Sequence, residues 1–108
     1  MNNETTDTFT LKTIEALIQS KEHYEYEALM NGGEQAEALI GREPDYALLT
    51  KLHDSAEAWK NGEDNYQTDF IEFPAGNSAV LNKAIVSGFF VSIIRIHRLV
   101  MGYLEVQS

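Results

Sequence analysis

Arg95 and Arg98 are the residues of this chain best equipped to hold a ligand. Three apart on a helix, they share a face, and two guanidinium groups so placed can grip a phosphate or carboxylate bidentately. Gly88, Ser92 and Gly102 lie on the same side, leaving room for a ligand or for a covering helix. Asn77 and Ser78 stand where this helix begins, and the unpaired N–H groups of a helix start attract anions. Arg95, Arg98, Asn77 and Ser78 therefore make up the candidate anion site, suited to a small molecule such as a nucleotide. The competing expectation is that the arginines pair with the chain's own carboxylates, because buried guanidinium groups need partners.

The histidines offer less. His23 and Glu27 are four apart, and so are His53 and Glu57. Such pairs are ordinary on solvated helix faces, and zinc takes at least three protein ligands. No metal and no cofactor is expected. His97 differs, since helical spacing puts it beside Phe90, Ile94, Met101 and Leu104. It reads as a core or interface histidine with one hydrogen bond, and secondarily as a pH-responsive group. There is no cysteine, no Gly-x-Ser-x-Gly and no phosphate-binding glycine loop, so the chain reads as non-enzymatic.

A different kind of site lies in residues 62–76. Glu63, Asp64, Tyr66, Asp69, Phe70, Glu72 and Phe73 mix negative charge with large apolar side chains. Such a segment can dock on a basic protein surface with its aromatics as anchors. Alternatively, Phe70 and Phe73 plug the chain's own core.

The element that must position all of these is the C-terminal one, residues 77–106. Its centre, residues 84–94, runs eleven residues without a charge. That exceeds a typical strand, and the spacing predicts one long buried helix. Lys83 and Arg95 bracket the run, which is short of the roughly 20 apolar residues of a membrane span; no membrane association is expected. A helix apolar over most of its circumference must be covered on most sides, and 108 residues leave little material for that. Self-association is the expected remedy, with Phe89, Phe90, Ile93, His97 and Met101 at or near the contact.

Upstream, residues 1–7 are polar and read as frayed. A first helix is expected from about Phe9 to Met30, capped by Asp7 or Thr8, with Leu11, Ile14, Leu17, Ile18, Tyr24, Ala28 and Leu29 on its apolar stripe. Asn31-Gly32-Gly33 reads as a stop. A short acidic helix follows over residues 34–40, ended by Gly41. A third runs from Pro44 to about Lys60, with Leu48, Leu49, Leu52, Ala56 and Trp59 inward, and Asn61-Gly62 ends it. The expected fold is all-α, one domain over residues 1–108: a small bundle of three main helices plus one short helix, packed around the C-terminal helix.

Charge sharpens the functional reading. The net charge is −9. Residues 1–75 carry 16 acidic and 5 basic side chains, a net of −11, whereas residues 76–108 carry 1 and 3, a net of +2. Such a balance disfavours direct contact with nucleic acid or anionic lipid. With no secretory signal in the opening residues, a cytoplasmic setting is expected. The chain thus reads as a small acidic binding protein, oligomeric, an inhibitor or interaction module for a basic protein partner such as a nucleic-acid-binding protein. The alternative is a sequestering protein for an anionic small molecule held by Arg95 and Arg98.

Overall fold

The computed structural model describes residues 22–41 and 45–107, with side chains as far as Gly102. Among the described residues there are three helices and no strand, so the fold is all-α. We label them α1 (residues 22–41), α2 (Tyr46–Lys60) and α3 (Ala79–Gln107). The expected cap at Asp7 or Thr8, the frayed opening and the apolar positions from Leu11 to Ile18 lie outside the described residues.

The first difference from expectation is at Asn31-Gly32-Gly33. The helix does not stop there but continues to Gly41, so the short acidic helix over 34–40 is the second half of α1. The reason is tertiary. A Cβ on Gly32 would overlap the Ile85 carbonyl oxygen of α3 and lie 2.7 Å from the Phe89 nitrogen. A Cβ on Gly88 would overlap the Leu29 carbonyl and lie 2.8 Å from its carbon. The two helices thus cross backbone to backbone. Glycine weakens a helix by about 1 kcal/mol, and here that cost is offset by the close packing the missing side chain permits.

The same crossing decides which side of α1 is buried. Ala28, Gly32 and Ala36, each four apart, face the core. Tyr24 and Leu29, expected on the apolar stripe, are 58% and 42% exposed. A helix that approaches through small residues leaves its large ones outside.

The ends of α2 follow local rules. Asp45 is the N-cap, its carboxylate accepting from the Ala47 N–H at 2.9 Å. The helix therefore starts after Asp45, not at Pro44, which lies outside the described residues. At the other end Gly62 adopts φ 77°, its N–H reaching the Trp59 carbonyl at 3.1 Å while Glu63 N–H reaches that of Ala58 at 2.9 Å. This paired closure requires a left-handed residue, which glycine supplies. In α3, Ser78 caps the start: its hydroxyl accepts from Leu81 N–H at 3.2 Å.

Among the described residues most buried side chains join one cluster. Phe89, Phe90, Ile85 and Ile93 of α3 meet Ala28 and Ala36 of α1, Leu52 and Ala56 of α2, and Ile71 of the connection. Burying a large apolar side chain contributes about 1.5–3 kcal/mol, so the four α3 residues dominate the packing. Residues Ala79–Gly102 are long and apolar enough by composition to cross a membrane, at a mean hydropathy of 1.6; here one side of that stretch forms this core.

Candidate partner surface and candidate anion site

The connection over 62–76 is irregular but tied down at several points. Gln35 of α1 reads the backbone of Glu72 with both ends of its amide: Nε2 donates to the Glu72 carbonyl at 2.9 Å, and Oε1 accepts from the Glu72 N–H at 2.8 Å. Asn31 Oδ1 accepts a further bond from Gln35 Nε2 at 2.8 Å, orienting the amide. Near the other end, Gln67 N–H donates to Ser55 Oγ of α2 at 3.3 Å. Ile71 is the side chain that enters the core, at 6% exposure.

That arrangement sorts the aromatic residues. Phe70 is half-buried against the core, with the Lys51 ammonium 5.5 Å from its ring centre, within cation–π reach. Tyr66 meets Phe90 edge-on at 5.8 Å between centroids yet stays 36% exposed. Phe73 is 39% exposed, so it is not the core plug considered for it. Glu63, Asp64, Asp69 and Glu72 are exposed around them. The connection thus presents four carboxylates and two partly open rings from a backbone fixed at both ends. On α1, Glu22, Glu27, Glu34 and Glu37 are exposed with Tyr26 and Met30. Among the described residues His23 lies 3.0 Å from Glu27 and His53 3.3 Å from Glu57, contacts that become ion pairs only when the histidine is protonated, and no Lys or Arg is joined to a carboxylate. The internal charge pairing expected for Arg95 and Arg98 is therefore not seen among those residues.

Arg95 and Arg98 are exposed on the outer side of α3. Asn77 and Ser78 do not join them. Ser78 lies 17 residues before Arg95, and a helix rises 1.5 Å per residue, a separation of about 25 Å. The four-residue anion site thus splits into an exposed arginine pair and a helix start whose Ser78 hydroxyl is engaged in capping.

The proposed self-contact is also redistributed. Phe89, Phe90 and Ile93 are 1%, 0% and 0% exposed, covered by the chain's own helices and connection. His97 and Met101 are half-buried. Among the described side chains of α3, the large apolar ones left open are Val80, Val91 and Leu99, Leu99 being 67% exposed.

His97 has a neighbour that sequence spacing did not reveal. Its ring stacks on that of His53 from α2, 3.6 Å between centroids and 14° from parallel. Burial holds the His97 pKa below its ordinary value of 6.5, and His53 adds to this, while Glu57 and Asp54 oppose it. In stacked rings the nitrogen lone pairs point outward in parallel planes and do not converge on one ion. Among the described residues no group of three His, Asp or Glu side chains is arranged to hold a metal. A signal for the pair existed only in retrospect: His53 and His97 each border an apolar stripe, but nothing in either segment specifies that the two meet.

No protein-family model, curated protein or solved structure matches this chain.

Proposed function

We propose that the protein is a small non-enzymatic binding module, cytoplasmic, that offers an acidic surface to a basic protein partner and acts as its inhibitor. The observation that supports this best is the connection carrying Glu63, Asp64, Tyr66, Asp69, Glu72 and Phe73. Its acids are exposed and joined to no Lys or Arg among the described residues, and its backbone is pinned by Gln35. Unpaired carboxylates steer a cationic partner and set its register. Partly open rings supply anchors, and a fixed backbone reduces the ordering cost of binding. The natural partner class is a nucleic-acid-binding protein, whose basic groove such a surface fills.

Self-association forms part of the same proposal. It uses Val91 and Leu99 on the outer side of α3, with Arg95 and Arg98 of one copy meeting acids of the next; His97, stacked on His53 of α2, lies off that face. A second reading rests on the exposure of Arg95 and Arg98: they take an anionic small molecule at the protein surface.

The test is a panel of immobilised DNA-binding proteins with basic surfaces, probed with the wild type and with a Glu63→Gln, Asp64→Asn, Asp69→Asn, Glu72→Gln variant. The expected result is submicromolar binding to at least one member, displaced by duplex DNA, weakened by salt and lost in the variant. Equal binding by the variant, or none by the wild type, refutes the proposal.

A further inference from the structure

A cavity of about 430 Å³ opens where the end of α2, the connection and the first turns of α3 meet. Its walls include Trp59, Tyr66, Phe73, Thr68, Asn82 and Lys83. That volume lies within the range of small-molecule sites, which combine apolar walls with a few placed polar groups. We propose that it binds a small planar aromatic molecule bearing one anionic group.

Three features point to that class. The first is the aromatic wall. Trp59 and Tyr66 both rest on the fully buried Phe90, at 5.7 Å and 5.8 Å between ring centroids, and Phe73, partly open, lines the same cavity. Rings held from behind by a core residue are pre-set to stack on a flat ligand, and offset or edge contacts between rings add to simple area burial. The second is charge. Lys83 is exposed at the cavity and makes no ion pair among the described residues. It stands on the one segment of the chain whose balance is positive, so an anionic group is drawn here against the acidic remainder. The third is an unsatisfied group. Among the described residues Asn82 Oδ1 is buried without a hydrogen-bond partner. Buried acceptors are almost always paired; rotation of the Asn82 amide would turn this one toward a ring N–H or amino group in the cavity. Stacking, an anion contact and one acceptor together describe a substituted aromatic acid or a nucleoside monophosphate.

This site is separate from Arg95 and Arg98. Lys83 precedes Arg95 by 12 residues, about 18 Å along α3. The cavity shares Tyr66 and Phe73 with the acidic surface but none of that surface's carboxylates, so the Glu63→Gln, Asp64→Asn, Asp69→Asn, Glu72→Gln variant leaves its walls in place.

Trp59 is the chain's single tryptophan and lines this cavity, so its fluorescence responds to a ligand bound there. The experiment titrates adenosine 5′-monophosphate and phenylacetate separately into the intact protein, with adenosine and inorganic phosphate as half-ligands. The expected result is a saturable change with at least one of the two complete probes. Adenosine should bind at least tenfold more weakly than its monophosphate wherever the monophosphate binds, and phosphate alone should leave the fluorescence unchanged. Lys83→Ala should weaken the complete probe at least tenfold, and so should Phe73→Ala, while Arg95→Ala should not. Lys83 is exposed, so its variant keeps the test valid even where Phe73→Ala disturbs the connection. No saturable change with either complete probe up to millimolar concentration overturns the proposal, as does unchanged affinity in Lys83→Ala.

Discussion

Lowering the pH from 7.5 to 5 should loosen the junction of α2 and α3 at the His53–His97 stack. Neutral imidazoles 3.6 Å apart pack face to face. Two protonated ones repel, by about 1 kcal/mol at that distance in a water-like dielectric and about 5 kcal/mol at an effective dielectric of 20. Both rings are half-exposed, and Glu57 and Asp54 lie close enough to offset part of the repulsion, so the working figure is about 1–2 kcal/mol. The sign follows from His97. Its pKa is held below the ordinary 6.5 in the folded protein, so the unfolded chain binds the proton more readily. The stability this contributes is therefore complete above pH 6.5 and is lost as the pH falls through the lower folded value. Urea unfolding at pH 7.5, 6.5, 5.5 and 5.0 measures it. His97→Gln should flatten the dependence in that window, leaving carboxylate effects at the acid end. NMR titration of the His97 ring should give a midpoint below 6.5 that moves upward in His53→Gln. A midpoint at or above 6.5, or the same pH dependence in His97→Gln as in the wild type, would refute the reasoning.

Glycine substitutions should divide by place. Gly32→Ala and Gly88→Ala force a Cβ into the facing backbone and should cost about 3 kcal/mol or more, whereas Gly102→Ala, with nothing within 4 Å, should stabilise by up to about 1 kcal/mol; chemical denaturation compares them. Gln35→Ala removes both bonds to the Glu72 backbone and should cost about 1–3 kcal/mol, with faster hydrogen exchange at the Glu72 amide. Ile71→Ala should cost about 2–5 kcal/mol and Phe73→Ala distinctly less, because Ile71 is 6% and Phe73 39% exposed; the reverse order in thermal melts would mean that Phe73, not Ile71, anchors the connection. Arg95→Ala and Arg98→Ala should each change stability by less than about 0.5 kcal/mol, since both side chains are exposed. A loss of several kcal/mol in denaturant would show that they are buried against acids after all.

The sequence by itself determined the features that depend on neighbours along the chain. The uncharged run from Ala84 to Ile94 specified a helix too long for a strand and apolar enough to organise the core, and α3 spans it with Phe89, Phe90 and Ile93 inside. Asn61-Gly62 ended α2 because the left-handed closure needs only glycine and the preceding turn. The Ser78 cap is equally local, since its hydroxyl reaches an N–H only three residues on. Tertiary structure alone decided the rest. Gly32 and Gly33 carry a stop signal locally, yet the helix continues, because contact with the α3 backbone at Ile85 and Phe89 outweighs the local preference. That contact then reversed the exposure of Tyr24 and Leu29, which the periodicity had placed inside. Whether Phe70, Ile71 or Phe73 would fill the core depended on where Gln35, 37 residues earlier, takes hold of Glu72. The His53–His97 stack and the separation of Asn77 and Ser78 from the arginine pair are of the same kind. Spacing along one element fixes which residues share its face. Which faces meet depends on how helices distant in sequence pack, and no local pattern carries that information.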